Sequence, residues 1–231
     1  MTQGVAEEAA RAERRAATPI AGAIAGMLFA VLFSVSVLII TGTMSELKND
    51  TVAWLETGAD QFKFALALLP FAGLFFLWFI AVARDRLGRF EDQFFATVFL
   101  GSGLLFLAMM FSAAASAGAI IAVYAQDPSG FSTSVTYVFA RNVVAQIFGV
   151  YALRMAAVFL IANGTLWLRT GVMPRWMAFV TYGVALVLLF VFTEAKWVVL
   201  VFPAWVFAVS LYILVVNLRR GGQAVPMSAN G

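Results

Sequence analysis

Residues 11–41 read RAERRAATPIAGAIAGMLFAVLFSVSVLIIT, and in this stretch an arginine cluster is followed by a long uncharged apolar run. The run is long enough to cross the ~30 Å hydrocarbon core of a membrane, which takes about 20 helical residues. A secretory signal peptide would have a shorter apolar region, of about 7–15 residues, and a small-residue cleavage site at its end. The stretch therefore predicts a retained transmembrane helix.

Similar apolar runs follow along the chain, and arginine clusters occur at every second junction between them. The arginines of these clusters are Arg11, Arg14, Arg15, Arg84, Arg86, Arg89, Arg169, Arg175, Arg219 and Arg220. The basic residues of the remaining junctions are Lys48, Lys63 and Lys196. Because cytoplasmic loops are enriched in Lys and Arg, this asymmetry predicts six spanning helices with the N- and C-termini in the cytoplasm.

The composition also indicates a membrane environment. Of the 231 residues, 63% are hydrophobic and 12% are charged, against about 45–50% and about 25% in a soluble domain. We therefore expect an all-α, polytopic transmembrane helical bundle without an extramembrane domain. The transmembrane domain is predicted at residues 19–220, with disordered cytoplasmic tails at 1–18 and 221–231. Its helices are predicted at residues 20–41, 62–83, 94–124, 132–168, 176–192 and 197–218.

Helices 3 and 4 of this prediction are longer than the membrane is thick. Residues 94–124 alone form ~45 Å of helix at ~1.5 Å per residue, so we expect both helices to protrude on the outer side. The acidic connection at residues 42–61 has apolar residues near helical spacing. It is expected to form an amphipathic helix over the outer mouth of the bundle.

Two groups of small residues predict close helix contacts, because small side chains let helix backbones approach each other. Gly22 and Gly26 have the GxxxG spacing, and residues 112–118 read SAAASAG. For the glycine pair we expect packing within the bundle, with a dimer face as the alternative.

The chain lacks the residues that several classes of function require. It contains no Cys and no His, which removes thiol redox chemistry, the commonest metal ligand and the commonest general base. No Asp or Glu lies within a predicted span, so we expect no carboxylate proton relay. The net charge of +3 is explained by arginines at helix ends, so we expect no nucleic-acid partner. We also expect no enzymatic activity, no cofactor and no metal site.

Helix 4 carries most of the polar residues of the predicted spans: Arg141, Asn142, Gln146, Tyr151, Arg154 and Asn163. At ~1.5 Å per residue, Arg154 lies ~20 Å from Trp167 at the inner boundary, in the outer part of the hydrocarbon core. Arg141 should already be in water, and Asn142 and Gln146 form a polar stripe that leads from the outside water to Arg154. Arg154 is then either the anion-binding end of a vestibule or a structural residue that snorkels to the outer interface or fixes two helices through hydrogen bonds to their carbonyls.

Arg154 needs a counter-charge or water, because an arginine at this depth costs at least ~2.5 kcal/mol. The tip between the last two helices contains Glu194, and the short fifth helix would hold this tip slightly below the outer surface. We therefore expect a partly shielded Arg154–Glu194 pair. The candidate structural or anion site comprises Arg154, Glu194, Gln146, Asn142, Tyr151 and Arg141.

Residues 69–115 read LPFAGLFFLWFIAVARDRLGRFEDQFFATVFLGSGLLFLAMMFSAAA, and residues 151–176 read YALRMAAVFLIANGTLWLRTGVMPRW. Both segments resemble a family of uncharacterised bacterial multi-pass proteins. The resemblance implies a bacterial inner (plasma) membrane location and brings no known activity.

These observations favour a non-catalytic integral membrane protein that acts by association, as an accessory subunit, an assembly factor or a scaffold. Its expected partners are the lipid bilayer and either a second copy of the chain or another membrane protein. The alternative is a small channel or carrier for an anionic or amphipathic solute, with the polar stripe of helix 4 as its path. Whether a lipid, quinone or carotenoid binds between the helices is left open.

Overall fold

The computed structural model describes residues 2–45, 58–87, 93–128, 135–190 and 197–223. Within these residues the chain forms helices and short turns, without a β-strand. The six helices are α1 (Thr2–Ser45), α2 (Ala59–Leu87), α3 (Gln93–Gln126), α4 (Val135–Thr170), α5 (Arg175–Phe190) and α6 (Val198–Gln223).

These helices form a polytopic transmembrane bundle, which confirms the predicted fold class. Five of them contain apolar spans of membrane-crossing length: Ile20–Gly42, Ala59–Arg84, Phe94–Gln126, Val135–Thr170 and Val198–Arg219. The remaining helix, α5, has 16 residues and is therefore ~24 Å long at ~1.5 Å per residue. A helix of this length crosses a ~30 Å core only together with its flanking residues.

Each helix packs against its neighbours in the chain, and α6 packs against α1, so the bundle closes on itself. Because consecutive helices run in opposite directions, Arg84, Arg169, Arg175 and Arg219 lie at the same end of the bundle. We call this the arginine end. The end of α3 and the start of α4 lie at the other end, which we call the distal end.

Apolar residues cover both the inner and the outer faces of the helices, as expected where lipid replaces water as the solvent. In α1, Phe29 and Phe33 are buried in the bundle, whereas Leu28 and Leu38 are exposed. Hydrophobicity alone therefore does not select the packed face. Close packing of side chains of matching size decides which faces meet.

The ends of the chain differ from the predicted disordered tails. Helix α1 already begins at Thr2, so residues 2–18 are helical. This segment is rich in Ala, Glu and Arg, which are strong helix formers, and charge alone does not prevent it from extending the apolar helix. Helix α6 continues to Gln223, so residues 221–223 are also helical. Residues 224–231 lie outside the described part of the chain.

Helices α3 and α4 have the great length that was predicted, with 34 and 36 residues. Each is more than ~50 Å long at ~1.5 Å per residue, against a ~30 Å hydrocarbon core. Their protrusion beyond the outer surface stays a prediction. Most of the predicted amphipathic helix, residues 46–57, lies outside the described residues.

The GxxxG pair of α1 packs inside the bundle, as predicted. Gly22 lies against Val82 of α2, and Gly26 lies against both Phe79 of α2 and Ser210 of α6. A Cβ atom at Gly26 would overlap the side chain of Ser210. Both glycines are buried, so they bring α1 close to two other helices instead of forming a dimer face.

Candidate functional site

The centre of the bundle is filled by aromatic rings. Five almost fully buried rings, one from each of α1, α2, α3, α4 and α6, meet there: Phe29, Phe76, Phe106, Phe159 and Phe202. The centroid of the Phe76 ring lies 4.6 Å from that of Phe29 and 5.7 Å from that of Phe202. The Phe106 and Phe202 centroids are 4.8 Å apart. Tilted and edge-on contacts at these distances are favourable, so the centre consists of packed apolar rings rather than a polar path.

A cavity of about 50 Å³ lies between this aromatic centre and the arginine end. Its walls include Ala23 of α1, Val82 of α2, Asn163 of α4 and Ile213 of α6. None of the lining residues is charged, and Asn163 is the only lining residue with an amide or hydroxyl group. The cavity is thus an apolar space that contains one strongly polar side chain.

The Asn163 side chain is only 2% exposed. It has no hydrogen-bond partner among the residues that the structure describes. Trp167, one helical turn away on the same face of α4, forms another wall and stacks on Trp205 with ring centroids 5.8 Å apart. The amide atoms are not among the fully buried unpartnered atoms of the described residues, where Ser210 Oγ is found, so they are open to the cavity. An amide that found no partner there would cost about 2–7 kcal/mol. The amide therefore favours an occupant of the cavity that can bond to it.

Sequence reasoning noted Asn163 as one polar residue of helix 4 but did not include it in the candidate site. A signal was present, because Asn163 lies ~9 Å inside Arg169 at ~1.5 Å per residue, well within an apolar span. What the spacing could not show is that α1, α2 and α6 leave a space beside its amide.

Arg154 follows a π-helical turn, Ile147–Ala152, that interrupts α4. Its guanidinium Nη1 donates a hydrogen bond of 2.9 Å to the carbonyl oxygen of Val150, four residues earlier. The side chain is partly buried and extends toward the distal end, the usual direction for side chains on a helix. This bond lies within α4, so both the anion-binding role of Arg154 and its role in fixing two helices stay predictions.

The other predicted site residues of α4 face the surroundings of the bundle. Arg141, Asn142, Gln146 and Tyr151 are all exposed. The π-helical turn lies between Gln146 and Arg154, so an angular spacing calculated from 3.6 residues per turn does not apply across it. The polar stripe therefore lies on the outer surface of α4. Glu194 lies outside the described residues, and the Arg154–Glu194 pair stays a prediction.

The distal half of α3 exposes a stripe of small side chains. Its members, spaced three or four residues apart, are Ala108, Ser112, Ala115, Ala119 and Ala122. The stripe runs ~21 Å along the helix, toward the distal end, at ~1.5 Å per residue. On the opposite face, Ala113 and Ala117 are buried within the bundle, so the predicted close contact of residues 112–118 is confirmed for that face.

The corresponding outer face of α1 has a different composition. Its exposed residues are large and aliphatic: Ile24, Leu28, Val31, Val35 and Leu38. Such side chains are suited to contact with lipid tails. Small residues are enriched where helices pack against each other in membranes, so the stripe on α3 has the composition of a helix-packing face that no helix of the described residues covers.

The described residues contain no group of three or more His, Cys, Asp or Glu side chains that could hold a metal ion. No protein-family model, no curated protein and no solved structure matches this chain. The five apolar helices of membrane-crossing length define the protein as a multi-pass helical membrane protein. The resemblance to an uncharacterised bacterial family stays a prediction.

Proposed function

We propose that this chain is a non-catalytic membrane protein that acts by association, as an accessory subunit, an assembly factor or a scaffold. In this proposal a transmembrane helix of another membrane protein packs against the small-residue stripe of α3. The observation that carries the proposal is the exposure of Ala108, Ser112, Ala115, Ala119 and Ala122 along one helix face.

The physical basis of the proposal is the distance at which two helices can pack. In lipid, helices associate through van der Waals packing, since no hydrophobic driving force separates them from the lipid tails. A stripe of Ala and Ser side chains lets a partner backbone approach closely over several turns. Ser112 also has a hydroxyl group that can bond across such a contact.

The packed centre of the bundle supports association over transport. Phe76 and Phe202 are almost fully buried, with ring centroids 5.7 Å apart, and a solute would have to displace such rings to pass. The alternative, a channel or carrier for an anionic or amphipathic solute, requires a path along the outer surface of α4 past Arg154. Solute flux in liposomes that disappears in Arg154→Leu would favour this alternative.

The proposed location is a bacterial inner membrane with the arginine end in the cytoplasm. The support for this orientation is the excess of Arg over the opposite junctions, since positive residues are retained on the cytoplasmic side. Alkaline phosphatase fused after residue 230 is expected to be inactive, because it would remain in the cytoplasm. An active fusion would reverse the orientation.

The association is tested by native mass spectrometry of the protein released from membranes in lipid nanodiscs. We expect a second membrane protein at fixed stoichiometry with the wild type, and its loss from a Ser112→Leu/Ala115→Leu variant whose stripe is filled. The matched control is Val31→Leu/Val35→Leu, which adds bulk to the lipid-facing surface of α1 and should retain the partner. A partner retained by the filled stripe would contradict the proposed contact, and a second copy of the chain would redefine the partner.

A further inference from the structure

The side chain of Asn163 differs from two other polar side chains near the arginine end, because it forms no hydrogen bond to its own helix. Thr165, two residues later on α4, donates to the carbonyl oxygen of Ile161 at 2.8 Å. Asn217 on α6 donates its amide to the carbonyl oxygen of Ile213 at 2.6 Å. Both side chains satisfy a donor through their own helix. Asn163 does not, although it is 2% exposed and has no other partner in the described chain.

The cavity beside Asn163 selects for an uncharged occupant. Its lining contains no Arg, Lys, Asp or Glu, and an isolated ion would be strongly disfavoured in such a space. The amide offers two N–H donors and one carbonyl acceptor. Trp167 adds an indole to the wall, and its N–H donor has no partner among the described residues. Among the side chains of the lining, donors therefore outnumber acceptors.

Water alone is a poor match for this space. A buried water typically makes about three hydrogen bonds, and among the side chains of the lining only Asn163 and Trp167 have polar groups. The remaining walls are apolar, including Val82, Met173 and Ile213. An occupant with one oxygen atom and an apolar body satisfies both parts of the lining.

We propose that this cavity is a binding site for the oxygen-bearing end of an uncharged, lipid-like molecule. Its carbonyl group accepts a hydrogen bond from the Asn163 amide. The volume of about 50 Å³ holds only a few heavy atoms, so the rest of the molecule extends out of the cavity. The site lies on the arginine-end side of the aromatic centre, and it is independent of the association proposed for α3.

The experiment uses the full chain in lipid nanodiscs and a long-chain alkyl ketone that carries a diazirine. After photolysis, labelled residues are identified by mass spectrometry, with an unlabelled ketone as competitor. We expect saturable labelling of the cavity walls, at Val82 or Ile213. The fatty acid of the same length, carrying the same diazirine, is expected to label these walls much less because its carboxylate is charged.

Two substitutions and one control identify the group that binds. Asn163→Leu should lower labelling about five- to tenfold, the equivalent of one hydrogen bond. Ala23→Leu should lower it by filling the cavity. Asn217→Leu removes an amide that already bonds to its own helix, and labelling should be unchanged. Each variant is first checked for cooperative thermal unfolding.

The outcomes of the wild-type experiment decide the proposal even where a variant fails to fold. Labelling that the unlabelled ketone does not compete would show general partitioning into lipid and would overturn the proposal. Labelling that is absent from the cavity walls would indicate water alone and would also overturn it. Equal labelling of the wild type and a folded Asn163→Leu variant would show that the Asn163 amide does not bind the ketone, and would overturn the proposal.

Discussion

The guanidinium Nη1 of Arg154 lies 2.9 Å from the carbonyl oxygen of Val150 and donates a hydrogen bond to it. Val150 belongs to the π-helical turn Ile147–Ala152, where the regular pattern of bonds to the fourth preceding residue is interrupted. The same oxygen also accepts the backbone N–H of Leu153, so the arginine side chain adds a second donor at an irregular point of α4. Backbone groups in a membrane need such internal partners because lipid offers none.

The same side chain is the basis of the predicted Arg154–Glu194 pair. We expect Arg154→Leu and Glu194→Leu each to lower stability by about 1–3 kcal/mol, because each strands the other charge in partly shielded surroundings. The double variant should recover much of this loss. Thermal unfolding in detergent measures all three variants. Additive losses would show that the two residues do not interact.

A second prediction concerns the contact between Gly26 of α1 and Ser210 of α6. Gly26→Ala should destabilise the protein by about 1–3 kcal/mol, because the added methyl group overlaps the Ser210 side chain and Phe79. Ser210→Ala removes a buried hydroxyl that has no partner among the described residues, so this single variant should be tolerated. Combined with Gly26→Ala, it should relieve part of the overlap.

The control for this prediction is Gly101→Ala on α3, where an added Cβ would meet nothing within 4 Å. Its unfolding temperature should equal or exceed that of the wild type, since alanine favours helix. If Gly26→Ala and Gly101→Ala behave alike, α1 and α6 are not in close contact at Gly26.

The aromatic centre provides a third prediction. Phe202→Ala should cost about 3–5 kcal/mol, because it leaves a cavity among rings from several helices. Phe64→Ala is the control, since Phe64 is 58% exposed on the surface of α2. Denaturant titration in mixed micelles measures both. A small effect at Phe202 would show that the centre collapses around the missing ring or is loosely packed.

The fourth prediction tests the orientation of the bundle and the protrusion of α3 and α4. Single cysteines at Val123 and Val138, which are 46% and 56% exposed, should react with an impermeant maleimide added from outside intact cells. Tyr137 is buried in a cluster with Phe62, Ile120 and Ile121, so a cysteine there should be protected. Protection of all three sites would place the distal end inside the cell or in the membrane.

Much of the fold could be predicted from the sequence. The predicted helix at residues 94–124 is Gln93–Gln126 in the structure, because a continuous apolar run bounded by polar turn residues indicates a membrane helix even where it is longer than the membrane is thick. The helical segment from Thr2 was missed because its charged residues were interpreted as a sign of disorder. Intrinsic helix propensity was the better guide there.

The candidate sites were harder to predict, for physical reasons. The sequence IFGVYA, residues 147–152, contains no proline or other common mark of a broken helix, so the π-helical turn before Arg154 was not expected. The cavity at Asn163 and the exposed stripe of α3 depend on which helices are neighbours. Residue spacing along one helix contains little information about that, because both faces of a membrane helix are apolar.

The central claim is that the small-residue stripe of α3 contacts a helix of another protein. It is tested most directly by a photo-reactive amino acid at Ser112, with the same amino acid at Leu38 of α1 as the control. Both positions lie ~27 Å along the helix from the start of their apolar spans, at ~1.5 Å per residue. These spans start at Phe94 in α3 and at Ile20 in α1. We expect Ser112 to cross-link in the native membrane to one protein partner, and Leu38 to cross-link mainly to lipid. Cross-links to lipid alone at Ser112, or the same products from both positions, would contradict the account.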